Sequence, residues 1–123
     1  MRHTTAALND LRQALEAPRQ EGIALGNWRW VVRQRMTAVR DVLIAESAQD
    51  RDGWLAARGG SLLRERNALL ARLSSLGPQV LERPDVEELR GELMRLTIDI
   101  GHHLQRLSDL AYDEVELELG GSE

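Results

Sequence analysis

The chain has 123 residues, no cysteine, no phenylalanine and a formal net charge of −4. This length supports one domain with a single modest core. The absence of cysteine excludes disulfides, thiolate metal sites and cysteine nucleophiles. Because aromatic side chains are scarce, the core is expected to consist of Leu, Val, Ile and Ala, as in helical bundles. The acidic balance argues against a nucleic-acid partner.

From these residues we expect neither a secretion signal nor a membrane-spanning segment. Asp10 lies where a signal peptide would need an apolar run. No apolar stretch approaches the ~20 residues that span a bilayer. The chain is therefore expected to be cytoplasmic, with no membrane partner.

Apolar spacing predicts two helices in the first part of the chain. The first covers residues 4–17 and is ended by Pro18 and Gly22. The second begins near Asn27, an acceptable N-cap, and runs to about Gln49. The apolar positions are Leu8, Leu11 and Leu15 in the first helix and Trp28, Val32, Met36, Val39 and Leu43 in the second.

A third helix is predicted between Asp52, a plausible cap, and Leu76. Gly77-Pro78 is expected to end it, because Gly suits the position after a helix and Pro cannot continue the hydrogen-bond ladder. Gly59-Gly60 has two interpretations that the sequence leaves open. Either the pair lies inside the helix and makes room for a neighbour, or it breaks the helix and lengthens the preceding loop.

The fourth helix has the cleanest pattern and opens at Pro84-Asp85. Its apolar positions alternate spacings of three and four, which is a heptad seam. Short connections make sequential helices antiparallel, so the predicted fold is all-α, an up-down-up-down four-helix bundle in one domain. The seam consists of Val86, Leu89, Leu93, Leu96, Ile100, His103, Leu107 and Leu110.

Two adjacent histidines interrupt this helix. The seam points His103 inward and His102 toward solvent. Asp99 precedes His103 by one turn, where its carboxylate can accept a hydrogen bond from the ring. His103 is then either a core residue satisfied by Asp99 or a ligand or base that Asp99 orients.

A turn near residue 81 would place His103 opposite Gly59-Gly60, and the same layer would receive His3 and Glu46 from the first two helices. Histidine and carboxylate ligands of this kind suit zinc or iron. The sequence therefore gives one candidate metal site, which consists of His103, Asp99, His3 and Glu46.

Three segments resemble the second half of hemerythrin-like cation-binding bundles: residues 63–73 (LRERNALLARL), 88–93 (ELRGEL) and 110–117 (LAYDEVEL). The resemblance implies a four-helix bundle with a di-iron centre held by histidines and carboxylates. By that resemblance His3 matches the first-helix ligand and Glu114 the terminal carboxylate. The chain is also similar to short helical proteins common in actinobacteria.

The ligand pattern of that family is incomplete here. Asn67 stands where the third helix would supply a histidine, and Asp109 or Leu110 stands where the last helix would. The second helix offers Glu46 and no histidine. Either the metal has been lost or the site has become something else.

Two functions are compatible with these residues. The first is a non-enzymatic bundle that acts by protein association, including a homodimer, because no catalytic set is complete and charged residues such as Arg66 fall on apolar seams. The second is a metal-binding bundle that holds one iron or zinc ion with a reduced ligand set.

An acidic extension closes the sequence, at about residues 113–123. From Asp109 onward the chain has six carboxylates and no basic residue. This segment is either a solvated tail or a docking element for arginines, such as those of the second helix. We favour partial docking, with Tyr112, Val115, Leu117 and Leu119 against the bundle and residues 120–123 frayed.

Overall fold

The computed structural model describes residues 2–17, 23–46 and 60–121, and the side chains of residues 4–17, 24–45 and 60–110. These residues form four α-helices and no strand. The helices are α1 (Arg2–Glu16), α2 (Ile23–Glu46), α3 (Ser61–Glu82) and α4 (Val86–Gly121). In the described part of the chain, no helix is both long and apolar enough to cross a membrane.

The helices contact one another in a closed ring: α1 with α2, α2 with α3, α3 with α4, and α4 with α1. The end of each helix lies beside the start of the next. The fold is thus the predicted up-down-up-down four-helix bundle. Heptad spacing also predicted the core correctly, because the apolar stripes of α1 and α2 and the α4 seam from Leu89 to Leu107 are buried.

At one end of the bundle, side chains of α2 and α4 bind the final carbonyl groups of α1 and α3. Trp28 Nε1 donates to Ala14 O over 2.8 Å, and Arg90 Nε donates to Leu15 O over 2.7 Å. Arg29 Nη1 donates to Val80 O over 2.9 Å. A helix leaves its last four carbonyls without partners inside the helix, so these bonds satisfy groups that α1 and α3 cannot satisfy themselves.

Helix α2 begins at Ile23, four residues before the predicted cap. Asn27 is an exposed residue inside the helix, so its prediction as N-cap was wrong. The extra turn packs Leu25 against the core. That burial outweighs the cap that a start at Asn27 would have provided. The predicted end of this helix at Gln49 lies outside the described residues.

Helix α3 continues through Gly77 and Pro78 to Glu82, so the predicted stop at Leu76 was wrong. The additional turn buries Val80 completely. The Arg33 side chain of α2 lies close to the α3 backbone at Gly77, where a Cβ would be 3.1 Å from Arg33 Cζ. Pro78 lacks an N–H and loses one ladder bond. The burial of Val80 and the Arg29 bond to its carbonyl offset that loss.

Gly60 immediately precedes α3 and has a left-handed backbone, with φ of 74°. This conformation favours glycine. Of the two interpretations of Gly59-Gly60, the structure therefore supports the loop for Gly60. Gly59, the predicted Asp52 cap and the rest of residues 47–59 lie outside the described residues.

The turn between α3 and α4 lies at residues 83–85, because α3 is longer than predicted. Asp85 caps α4, and its Oδ1 accepts a hydrogen bond from the Glu88 amide over 3.0 Å. Pro84 lies just before this cap. The later turn shifts the register between the two helices, so that His103 faces Glu65, whereas a turn near residue 81 predicted a position opposite Gly59-Gly60.

Candidate functional site around His103

His103 lies on the inner face of α4 and is fully buried, as the heptad seam predicted. Ile100 and Leu107 flank it on the same face and are also buried. His102 is exposed. The two adjacent histidines therefore occupy different environments, which confirms their predicted separation.

The hydrogen-bond partner of His103 is on α3. Its Nδ1 lies 2.7 Å from Glu65 Oε1. The prediction that Asp99 holds this ring was wrong, because Asp99 Oδ2 accepts a 2.7 Å bond from Arg72 and the Asp99 side chain is 42% exposed. The register shift explains the exchange, since it brings Glu65 opposite His103 and Arg72 opposite Asp99.

Glu65 also binds Arg106, one turn beyond His103 on α4. Arg106 Nη2 donates to Glu65 Oε2 over 2.7 Å, and Arg106 Nε donates to Oε1 over 3.3 Å. Partial burial raises the pKa of Glu65, but the hydrogen bonds and positive charge of Arg106 and His103 lower it by more. The net pKa lies below the ordinary value, so Glu65 is a carboxylate near neutral pH.

The Glu65 carboxylate determines that Nδ1 of the His103 ring carries a hydrogen. An ionised carboxylate only accepts hydrogen bonds, so Nδ1 must carry the hydrogen that it donates to Glu65. In the neutral ring, Nε2 then carries a free lone pair. Nε2 is buried and has no hydrogen-bond partner among the side chains that the structure describes.

Two further buried polar side chains lie at the same end of the bundle. Thr4 belongs to the first turns of α1 and Arg66 to the first turns of α3. Arg66 occupies the seam position that the sequence assigned to it, and its Nη2 donates to Asn67 Oδ1 over 3.1 Å. The end of the bundle that contains His103 is thus the polar end of the core.

Of the four predicted metal-site residues, the structure describes the side chains of His103 and Asp99 and does not bring these two together. His103 points into the core, whereas Asp99 is engaged by Arg72 at the surface. The side chains of His3 and Glu46 lie outside the described residues, although their backbones belong to α1 and α2. Among the residues that are described, no group of three His, Asp or Glu side chains is arranged to hold a metal ion.

Sequence reasoning missed Glu65 and Arg106. The contact between Glu65 and Arg106 can be predicted only from the correct register of α3 and α4, because the two residues lie 41 positions apart in the chain. A turn placed at Pro84-Asp85, where the sequence did predict the start of α4, would have brought Glu65 opposite His103.

Chemically, the site is a carboxylate–imidazole pair whose second ring nitrogen, Nε2, is buried in the core and carries a lone pair whenever the ring is neutral. Such a carboxylate fixes the tautomer and orientation of a histidine that binds a metal or takes a proton. Full burial restricts the partner of Nε2 to a small group or ion.

No protein-family model, curated protein or solved structure matches this chain. The resemblance to hemerythrin-like bundles therefore stays an expectation. Asn67 and Asp109, which stand at positions where that resemblance would require histidine ligands, are exposed.

Proposed function

We propose that this chain is a non-enzymatic helical bundle that acts by protein association. The observation that supports this most directly is Trp30, whose side chain lies on the outer surface of α2 and is 59% exposed. Its neighbour Trp28 is buried and belongs to the core. Tryptophan is enriched at protein interfaces, where one large rigid side chain supplies much of the binding energy.

Trp30 is part of a stripe along α2. Thr37 and Ile44 follow it at intervals of seven residues, which places all three on one face of the helix. Ile44 is 41% exposed. Covering on the order of 100 Å² of apolar surface at this stripe would contribute about 2–3 kcal/mol to association.

Site-specific photo-crosslinking tests the proposal. A crosslinking amino acid replaces Trp30 in the full chain, and a matched control replaces Ser74, an exposed residue on α3. We expect the variant with the crosslinker at position 30 to form one discrete crosslinked product with a protein partner, and the variant with the crosslinker at position 74 to form no such product. Adding Ile44→Asp to the position-30 protein should abolish the product, because it places a charge in the same stripe. Equal products at both positions, or none at position 30, would refute the proposal.

A second candidate function is the binding of one iron or zinc ion, and the geometry of His103 favours it. The Nδ1 bond to Glu65 leaves Nε2 as a buried donor atom with no partner in the described part of the chain. His103 would bind the ion through Nε2, and His3 and Glu46 are the predicted co-ligands. Asp99 fits less well, because it would have to leave Arg72. A bound ion would supply Lewis acidity or, for iron, electron transfer.

Metal analysis of protein purified without a histidine tag tests this candidate. His103→Leu removes the donor atom while filling the seam, and His102→Leu is the matched control on the exposed face. We expect the parent and His102→Leu to contain metal and to be stabilised by added zinc or iron, and His103→Leu to show neither effect. A parent protein that contains no metal and shows no thermal shift would exclude the candidate.

A further inference from the structure

A surface groove of about 500 Å³ lies between α1 and the middle of α4. This volume is in the range of pockets that bind small organic molecules. Neither Trp30 nor His103 lines the groove, because Trp30 is on the outer surface of α2 and His103 faces α3. The groove is therefore separate from the residues on which the two proposed functions depend.

The two helices line this groove in a regular order. Arg12 and Gly101 lie side by side at one end of it, and Thr5 and Ser108 lie at the other end, because α1 and α4 run in opposite directions. On each helix these residues are seven positions apart, which is about 10 Å at 1.5 Å per residue. The groove thus accommodates an elongated ligand of about that length.

Arg12 is the one charged side chain among the described residues that line the groove. Its Nη2 would lie 3.8 Å from a Cβ at Gly101, so the guanidinium is turned toward α4. Glu16 is one turn further along α1, yet Arg12 forms no hydrogen bond or ion pair with it or with any other described residue. A half-buried charge without a partner is unfavourable. An anion at this end of the groove would neutralise it.

Two leucines supply the apolar part of the groove. Leu8 of α1 and Leu104 of α4 belong to the core but still contribute to the lining. Leu8 Cδ2 would lie 4.0 Å from a Cβ at Gly101. Because Gly101 has no side chain, the space between Arg12 and the leucines stays open. A ligand whose anionic group binds Arg12 would therefore place its remaining atoms against apolar surface.

The end of the groove opposite Arg12 does not favour a second negative charge. Thr5 and Ser108 carry neutral hydroxyl groups there. Gln105 also lines the groove, and its Nε2 donates to Asp109 Oδ1 over 3.0 Å. Asp109 is eight residues beyond Gly101, which is about 12 Å of helix. A second anionic group on the ligand would be repelled by the Asp109 carboxylate.

We propose that this groove binds a monocarboxylate with an apolar chain, of the kind found in medium-chain fatty acids. The carboxylate accepts two parallel hydrogen bonds from the Arg12 guanidinium, which is the geometry that these two planar groups prefer. The chain lies along Leu8 and Leu104. A phosphate ion fits less well, because one guanidinium would face two negative charges and the leucines would stay uncovered.

Titration of the ¹⁵N-labelled full chain with octanoate tests the proposal by NMR. We expect octanoate at millimolar concentration to shift the Gly101 amide signal saturably, because the carboxylate would lie beside this residue. Octanol has the same chain without the charge, and inorganic phosphate has the charge without the chain. Neither should shift this signal saturably at the same concentration.

Two substitutions locate the ligand, and calorimetric titration gives the dissociation constant for each. Arg12→Gln removes the guanidinium and should raise the octanoate dissociation constant about tenfold or more. Gly101→Leu keeps the charge but fills the space beside it, and should weaken binding to a similar extent. Arg35→Gln is the matched control, because Arg35 is an exposed arginine on α2 outside the groove. It should leave the dissociation constant unchanged.

The absence of a Gly101 shift with octanoate would overturn the proposal. Octanol that binds as tightly as octanoate would show that Arg12 has no part in binding, and phosphate that binds as tightly would show that the leucines have none. Either result refutes the assigned ligand. If Arg12→Gln or Gly101→Leu, with its helical circular dichroism intact, binds octanoate as tightly as the parent, then the ligand lies outside this groove and the proposal is wrong.

Discussion

Replacing His103 with leucine is the sharpest test of the polar end of the core. The substitution removes the bond from Nδ1 to the Glu65 carboxylate, and a hydrogen bond to a charged group contributes roughly 1.5–3 kcal/mol. It also removes Nε2, whose burial without a partner costs roughly 1–3 kcal/mol. Glu65 keeps both bonds from Arg106. The two effects oppose each other, so we expect the stability of His103→Leu to lie within about 1 kcal/mol of the parent.

His103→Ala and His102→Ala complete the series. His103→Ala opens a cavity at a fully buried position and should cost roughly 2–5 kcal/mol, as truncations of large core residues do. His102→Ala changes an exposed side chain and should stay within about 0.5 kcal/mol.

Urea denaturation followed by circular dichroism measures all three, since the midpoint shift at constant m gives the change in the free energy of unfolding. If His103→Leu costs as much as His103→Ala, then packing alone does not explain the loss. The polar contacts of His103 then contribute more than the balance above allows, and that balance is wrong. Equal costs for His102→Ala and His103→Ala would contradict the assignment of their faces.

Four further substitutions test the fold and the ion pair. Asp85→Ala should cost about 0.5–2 kcal/mol, because it removes the N-cap of α4, and thermal denaturation that shows no loss would contradict the cap. Gly91→Ala should stabilise the chain by about 0.5–1 kcal/mol, because alanine has a higher helix propensity than glycine and the added Cβ would meet no neighbouring atom. Gly77→Ala should increase the stability less, because its Cβ would lie too close to the guanidinium of Arg33. The depressed pKa of Glu65 contributes stability that is present above its unfolded pKa and lost as the pH falls through the folded pKa. Below pH 4.5 the parent should therefore lose stability more steeply than Glu65→Gln, and parallel pH profiles in urea titrations would refute this.

The heptad pattern predicted the fold class and the inward position of His103 because burial in a bundle follows the helical period directly. Met36 and Leu93 are buried because they belong to apolar stripes that recur every three or four residues, and such a stripe lies on the helix face toward the core. This part of the structure depends on local sequence alone.

The helix boundaries depended on contacts that local sequence does not contain. Gly77-Pro78 is a strong stop signal, yet α3 continues because Val80 is buried and Arg29 of another helix binds its carbonyl. The continuation of α3 to Glu82 moved the turn and changed the partner of His103 from Asp99 to Glu65. One local error thus became an error in the candidate site.

The two ends of the bundle have different roles in this fold. At one end, Arg29 and Arg90 bind the final carbonyls of α3 and α1, and neither of those helices has a basic residue in its own last turn. These guanidiniums also place positive charge at the negative ends of the helix dipoles. Contacts between helices therefore stabilise this end of the bundle. At the other end, the core contains His103 and Arg66, whose burial is costly unless each polar atom finds a partner. A core that served stability alone would be expected to contain apolar side chains at both positions. A ligand or ion that bound His103 Nε2 would therefore satisfy a buried atom that has no partner in the described part of the chain.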